Sequence, residues 1–139
     1  MYNARITGLG KFLPDNVVTN ETLSKLMDTS HDWIVERTGI HERRFVPKHS
    51  DEGTATMGVK AAEQAIERAG ISKDDIELIA FATLSPDYYF PGSGVLLQDL
   101  MGIGTCPALD VRNQCSGFVY GLSVADQFIR TGMYKHVLV

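Results

Sequence analysis

The sequence lacks long apolar runs, an excess of positive charge and a secretory leader, and each absence excludes a class of protein. No apolar segment approaches the ~20 residues that cross a bilayer, so no membrane-spanning helix is expected. The 139 residues carry 13 Lys and Arg against 17 Asp and Glu, a net charge of −4. Nucleic-acid binding normally requires a basic surface and is therefore not expected. The N-terminus has no basic start followed by an apolar core, and we predict a cytoplasmic protein.

Cysteines and cofactor motifs are also scarce. Cys106 and Cys115 are too few for a disulfide framework, and both are expected to be free thiols. The four histidines are not spaced as zinc ligands, so no metal site is predicted. Gly8 and Gly10 resemble the start of a dinucleotide-binding loop, but Leu13 stands where the third glycine is needed. No motif therefore points to a bound metal or nucleotide cofactor.

The apolar pattern predicts strands that alternate with helices, which is typical of a parallel α/β sheet. Strands are expected over 4–14, 75–86, 107–111 and 135–139, with a short extended piece over 40–46. Helices are expected over 19–39 (two short ones), 54–69, 92–102 and from Cys115 to about Arg130. Because the last strand pattern is still open at Val139, we expect one half-domain, 1–139, of a longer protein.

Cys115 is the candidate reactive residue because it follows a predicted strand and precedes a predicted helix. The first-turn N–H groups of a helix lack partners inside the helix and can stabilise a thiolate. Gly117 leaves room for a substrate carbonyl to approach backbone amides, which are suitable donors to an oxyanion. A free cysteine is nevertheless often a small buried core residue, and the pattern alone leaves both interpretations open. Cys106 has no comparable setting.

Three segments together resemble β-ketoacyl-acyl-carrier-protein synthase III, a condensing enzyme of the thiolase fold. The segment "DVRNQCSGFVYGLSVADQFI" is similar to the family's nucleophile region, and "DTSHDWIVERTGIHERR" is similar to its Asp-Thr-Ser-x-x-Trp-Ile-x-x-Arg-Thr-Gly-Ile signature. The segment "LIAFATLSPDYYFPGSG" occupies the place of its second core strand. The resemblance covers the whole chain and implies a thiolase-like layered α/β/α fold, with this chain forming most of the N-terminal half.

The resemblance also implies a reaction and site residues. Cys115 would accept an acyl group from acyl-coenzyme A, and malonyl-acyl carrier protein would lose carbon dioxide and attack the thioester. Trp33, Arg37 and Thr29 match residues that bind coenzyme A, which is a substrate and not a permanent cofactor. Phe90 matches a phenylalanine that reaches across a homodimer into the acyl pocket. The family's decarboxylating His and Asn would lie outside these residues, so the chain alone is expected to be inactive.

The segment around Cys115 departs from the family, and other functions stay open. The family usually has Ala-Ala-Cys-Ala-Gly-Phe, whereas this chain has Asn-Gln-Cys-Ser-Gly-Phe, preceded by Arg112. The acyl chain length, the acceptor and the pathway are therefore not predicted. One alternative is hydroxymethylglutaryl-coenzyme A synthase, but Leu84 stands where that enzyme needs a glutamate. The other is a non-catalytic acyl-binding subunit, which would never carry an acyl group on Cys115.

Overall fold

The computed structural model describes residues 2–139, which form two compact units. One consists of residues 13–52, and the other of residues 2–12 together with 53–139. The elements in chain order are β1 (Val17–Thr19), α1 (Asn20–Ser24), α2 (His31–Thr38), β2 (Glu42–Arg44), α3 (Thr54–Ala69), a 3₁₀ turn (Lys73–Asp75), β3 (Leu78–Ala82), α4 (Ser93–Met101), β4 (Ala108–Val111), α5 (Gly117–Arg130) and β5 (Val137–Leu138).

The smaller unit contains the two predicted short helices and an antiparallel strand pair. Helix α2 begins as expected, because the Ser30 side chain accepts a hydrogen bond from Trp33 N at 3.1 Å. It ends at Gly39, whose φ of 68° is the left-handed conformation that glycine adopts without strain. Strand β2 lies within the predicted extended segment and pairs with β1, which the apolar pattern did not predict.

The larger unit is built around a three-stranded parallel sheet with the order β4-β3-β5. The central strand β3 is buried along Leu78, Ile79 and Ala80, as its unbroken apolar sequence predicts. Ile79 packs in a core cluster with Ala62 of α3 and Leu97 of α4. The predicted α/β organisation is therefore confirmed.

The predicted first strand is wrong. Residues 3–14 contain no strand, although their sequence has strand-like composition. A strand requires a hydrogen-bonded neighbour. Residues 4–10 and the end of β5 both line a cavity of about 560 Å³, so this segment does not pair with β5. This N-terminal segment instead lies against the small-residue face of α3. Arg68 of α3 donates a 2.6 Å hydrogen bond to the carbonyl of Leu9, and an added Cβ at Gly8 or Gly10 would collide with the α3 backbone.

Two further expectations can be compared with the structure. Both cysteines are free thiols, as predicted, with Cys115 exposed and Cys106 half-buried. Helix α5 begins at Gly117 and not at Cys115, because the Gly117 N–H donates to the carbonyl of Gln114 and closes a turn first.

No helix within residues 2–139 is both long enough and apolar enough to cross a membrane.

Candidate active site

Cys115 lies in an exposed turn between the carboxyl end of β4 and the N-terminus of α5. The turn is closed by the 2.9 Å bond from Gly117 N to Gln114 O, and Asn113 Oδ1 accepts from Gln114 N at 2.8 Å. The N-cap of α5 is Ser116, whose side chain does not bond to the first turn. Cys115 therefore precedes the positive end of α5 and lies two residues before its first residue, whereas the sequence predicted that it would begin the helix. An exposed position suits a nucleophile, because substrates must reach it from solution.

The start of α5 lies close to the end of β3. Gly117 is buried, and a Cβ there would stand 3.4 Å from the Cβ of Ala82 at the end of β3. The ends of β3 and β4 and the start of α5 are thus adjacent. In open α/β sheets this carboxyl edge is where ligands bind.

Two carboxylates hold the loop between β3 and α4. Asp110 of β4 accepts hydrogen bonds from the N–H groups of Ser93 and Gly94, at 3.0 and 2.9 Å, in the first turn of α4. Asp87 accepts from the N–H of Ala55 at 2.9 Å and from the buried Ser93 hydroxyl at 2.8 Å. Asp110 thus caps α4 and Asp87 caps α3, and neither residue belongs to the helix that it caps. These hydrogen bonds hold both ends of the loop in place.

The middle of that loop carries three exposed aromatic side chains, of Tyr88, Tyr89 and Phe90. The Arg112 Nη2 atom donates a 2.6 Å hydrogen bond to the carbonyl of Tyr89, and its guanidinium carbon lies 5.3 Å from the centre of the Tyr89 ring. Phe90, the predicted acyl-pocket residue, is 89% exposed. It belongs to the same unit as Cys115 but is not buried there.

The three predicted coenzyme A-binding residues occur together in the smaller unit. Trp33 and Arg37 are one helical turn apart on α2, and the guanidinium carbon of Arg37 lies 4.9 Å from the Trp33 ring. The Trp33 side chain is 52% exposed, so its ring is available for stacking. The Thr29 hydroxyl is buried and has no hydrogen-bond partner within residues 2–139.

Asp87, Ser93 and Asp110, which organise the loop between β3 and α4, were not predicted from the sequence. One available signal was the Gly92-Ser93-Gly94 run before α4. Gly92 adopts a φ of 107°, and the Asp110 carboxylate fills the place that a side chain there would need. Within the described residues, no group of three or more His, Cys, Asp or Glu side chains could hold a metal ion.

Comparison with known proteins identifies the relatives of the chain. The family described as 3-Oxoacyl-[acyl-carrier-protein (ACP)] synthase III matches residues 109–139. The beta-ketoacyl-[acyl-carrier-protein] synthase III of Aliivibrio fischeri is 52% identical over all 139 residues, and the beta-ketoacyl-[acyl-carrier-protein] synthase III 1 of Vibrio parahaemolyticus is 53% identical over the same residues. The chain spans only 43% of the length of each of these relatives.

Solved structures agree with the sequence comparison. The 3-oxoacyl-[acyl-carrier-protein] synthase III of Aquifex aeolicus is 42% identical and superposes with a TM-score of 0.89, covering 95% of this chain and 42% of that one. The priming β-ketosynthase of the R1128 polyketide pathway is 31% identical with a TM-score of 0.89, covering 96% of this chain and 39% of the other. The resemblance and the thiolase-like α/β fold expected from the sequence are therefore confirmed.

Proposed function

We propose that this chain, a relative of β-ketoacyl-[acyl-carrier-protein] synthase III in sequence and fold, provides the acyl-accepting cysteine of an acyltransferase. In the complete reaction an acyl-coenzyme A primer would be condensed with malonyl-acyl carrier protein, as in fatty acid or related biosynthesis. The observation that carries the proposal is the exposed thiol of Cys115 in the turn between β4 and α5.

In the first step, the Cys115 thiolate attacks the thioester carbonyl of acyl-coenzyme A. The carbonyl carbon–sulfur bond to coenzyme A breaks, the coenzyme leaves as its thiol after taking up a proton, and the acyl group remains on Cys115. Backbone N–H groups in the first turn of α5 that lack acceptors within the helix are the kind of donor that the negative oxygen formed in between requires.

In the second step, malonyl-acyl carrier protein releases carbon dioxide, and the resulting carbanion attacks the acyl carbon on Cys115. The bond to the sulfur breaks, and the cysteine is regenerated. The groups that promote decarboxylation are the His and Asn that the family resemblance assigns to residues outside this chain. A homodimer with Phe90 at the partner's acyl pocket, and a cytoplasmic location, belong to the same proposal.

Trp33, Arg37 and Thr29 are proposed to bind the nucleotide part of the acyl-coenzyme A. The exposed Trp33 ring offers a stacking face for a base, and the adjacent Arg37 cation suits a phosphate. Thr29 lies just before the Ser30 N-cap of α2, and its part in this site rests on the family resemblance alone.

The test is intact-mass spectrometry of the natively expressed protein after incubation with acyl-coenzyme A thioesters of different chain lengths. We expect one acyl adduct, which maps to Cys115, is lost in Cys115→Ser and is retained in the matched control Cys106→Ser. An unmodified protein with every thioester would contradict the proposal and favour an acyl-binding subunit. An adduct that persists in Cys115→Ser would contradict the assignment of the nucleophile.

A further inference from the structure

We propose that Arg112 is a positioning residue, which holds the aromatic segment Tyr88–Phe90 against the end of β4 and thereby restricts the acyl groups that Cys115 accepts in the proposed homodimer. The inference deepens the proposed function and rests on it for the role of Cys115. The positioning itself is a property of the fold and can be tested separately. Nothing in the family resemblance assigns a role to this arginine.

The first observation is that one side chain holds both the backbone and the ring of Tyr89. Arg112 donates from Nη2 to the Tyr89 carbonyl at 2.6 Å, while its guanidinium carbon lies 5.3 Å from the ring centre. A guanidinium can make both contacts because it is planar, carries its donors at the edge and stacks on aromatic faces. Lysine could supply the hydrogen bond but would lose the planar stacking.

The second observation is the spacing at the end of β4. Asp110 lies in β4 and Arg112 is the first residue after that strand, and both side chains bond to the segment between β3 and the first turn of α4. Asp110 bonds to the loop's far end at Ser93 and Gly94, and Arg112 bonds to its middle. The nucleophile follows Arg112 by three residues. The loop and the Cys115 turn are therefore anchored to the same short piece of chain.

The third observation is that burial does not hold the aromatic segment in place. Tyr88, Tyr89 and Phe90 are 61%, 88% and 89% exposed. Asp87 anchors the start of the segment and Ser93 its end, so the bond from Arg112 supplies the anchor between them. Large aromatic side chains on a loop anchored close in sequence to the acyl-accepting thiol are suited to contact an alkyl chain, and releasing them would change which chains fit.

The first experiment is limited proteolysis with chymotrypsin, read by mass spectrometry, on the wild-type chain, Arg112→Ala, Arg112→Lys and the control Arg130→Ala. We expect Arg112→Ala to raise the rate of cleavage after Tyr88 and Tyr89 several-fold, because the anchor on Tyr89 is lost, while cleavage elsewhere is unchanged. Arg112→Lys should restore part of the protection, and Arg130→Ala, on the far end of α5, should not alter cleavage in the segment. An unchanged cleavage rate in Arg112→Ala would overturn the proposal.

The second experiment measures the rate of acyl transfer to Cys115 from acetyl- and octanoyl-coenzyme A in the same variants. We expect the ratio of the two rates to change at least several-fold in Arg112→Ala, and partial restoration in Arg112→Lys. Equal loss of both rates would indicate a merely structural effect and overturn the restriction of acyl groups. If the wild type accepts neither group, the proposed function fails and the restriction of acyl groups fails with it. The cleavage rates still decide whether Arg112 positions the segment.

Discussion

Removing the Asp110 carboxylate should destabilise the start of α4 more than any ordinary surface substitution. Asp110 accepts two backbone hydrogen bonds, from Ser93 and Gly94, and it belongs to β4 rather than to the helix it caps. In Asp110→Ala both N–H groups lose their acceptor, while Gly92 keeps a backbone conformation that is shaped around the carboxylate. The perturbation therefore acts on the junction between the sheet and the loop.

The magnitude follows from the two bonds and the helix terminus. A hydrogen bond to a charged group contributes about 1.5–3 kcal/mol, and a negative charge at a helix N-terminus about 0.3–1 kcal/mol. Because Asp110 is half-buried and water can reach the freed N–H groups in part, we take the lower end, about 3 kcal/mol for Asp110→Ala. Asp110→Asn retains one acceptor oxygen and should lose roughly half of that amount.

The assay is urea-induced unfolding at pH 7, followed by far-ultraviolet circular dichroism. The variants are Asp110→Ala, Asp110→Asn and the control Asp99→Ala, whose exposed side chain lies near the other end of α4. The control should stay within about 0.5 kcal/mol of the wild type. A free energy of unfolding for Asp110→Ala equally close to the wild type would refute the reasoning, provided that the dependence on urea concentration is unchanged.

Three further predictions concern other parts of the larger unit. Gly10→Ala should cost about 1–3 kcal/mol of stability, because the new methyl group meets the α3 backbone. The control Gly104→Ala should cost less, because a Cβ there has open space, and thermal unfolding of both variants makes the comparison. Hydrogen bonds from two backbone N–H groups before β5 lower the pKa of Glu77 from its usual 4.5. The wild type should therefore be more stable than Glu77→Gln above that pH and lose the advantage as the pH falls below it, which unfolding measured over a series of acidic pH values would test. Burial raises the pKa of Cys106, so iodoacetamide at pH 8 should modify the exposed Cys115 first, with peptide mapping as the readout.

Local signals explain why the helices were predicted so well. Helix α3 runs over Thr54–Ala69 as expected, because its small apolar residues recur at helical spacing and Gly70 can adopt the left-handed C-cap. The Ser30 cap and the Gly39 end of α2 depend equally on a few adjacent residues. Such signals lie within one turn of the element that they define.

Strand pairing explains the errors. Strand β1 has only three residues and forms through pairing with β2, about 25 residues later, so its own sequence gives little indication. Residues 4–14 show the opposite case, since a strand-like pattern does not become a strand without a neighbour. The Asp87 cap on α3 is non-local too, because it joins residues 32 apart in sequence. Sequence located Cys115 but could not locate the carboxylates that fix its surroundings.

Three residues with different roles lie within the six residues 110–115, at the end of β4 and just after it. Asp110 fixes α4, Arg112 contacts the aromatic segment, and Cys115 presents the thiol. A loss of acylation after a substitution in 110–115 therefore has two possible causes, an altered fold or an altered thiol. Asp110→Ala should lower both stability and acylation, whereas Cys115→Ser, at an exposed position, should abolish acylation with little change in stability. If Cys115→Ser also unfolds the protein, the thiol is part of the packing, and the division of tasks along this segment is wrong.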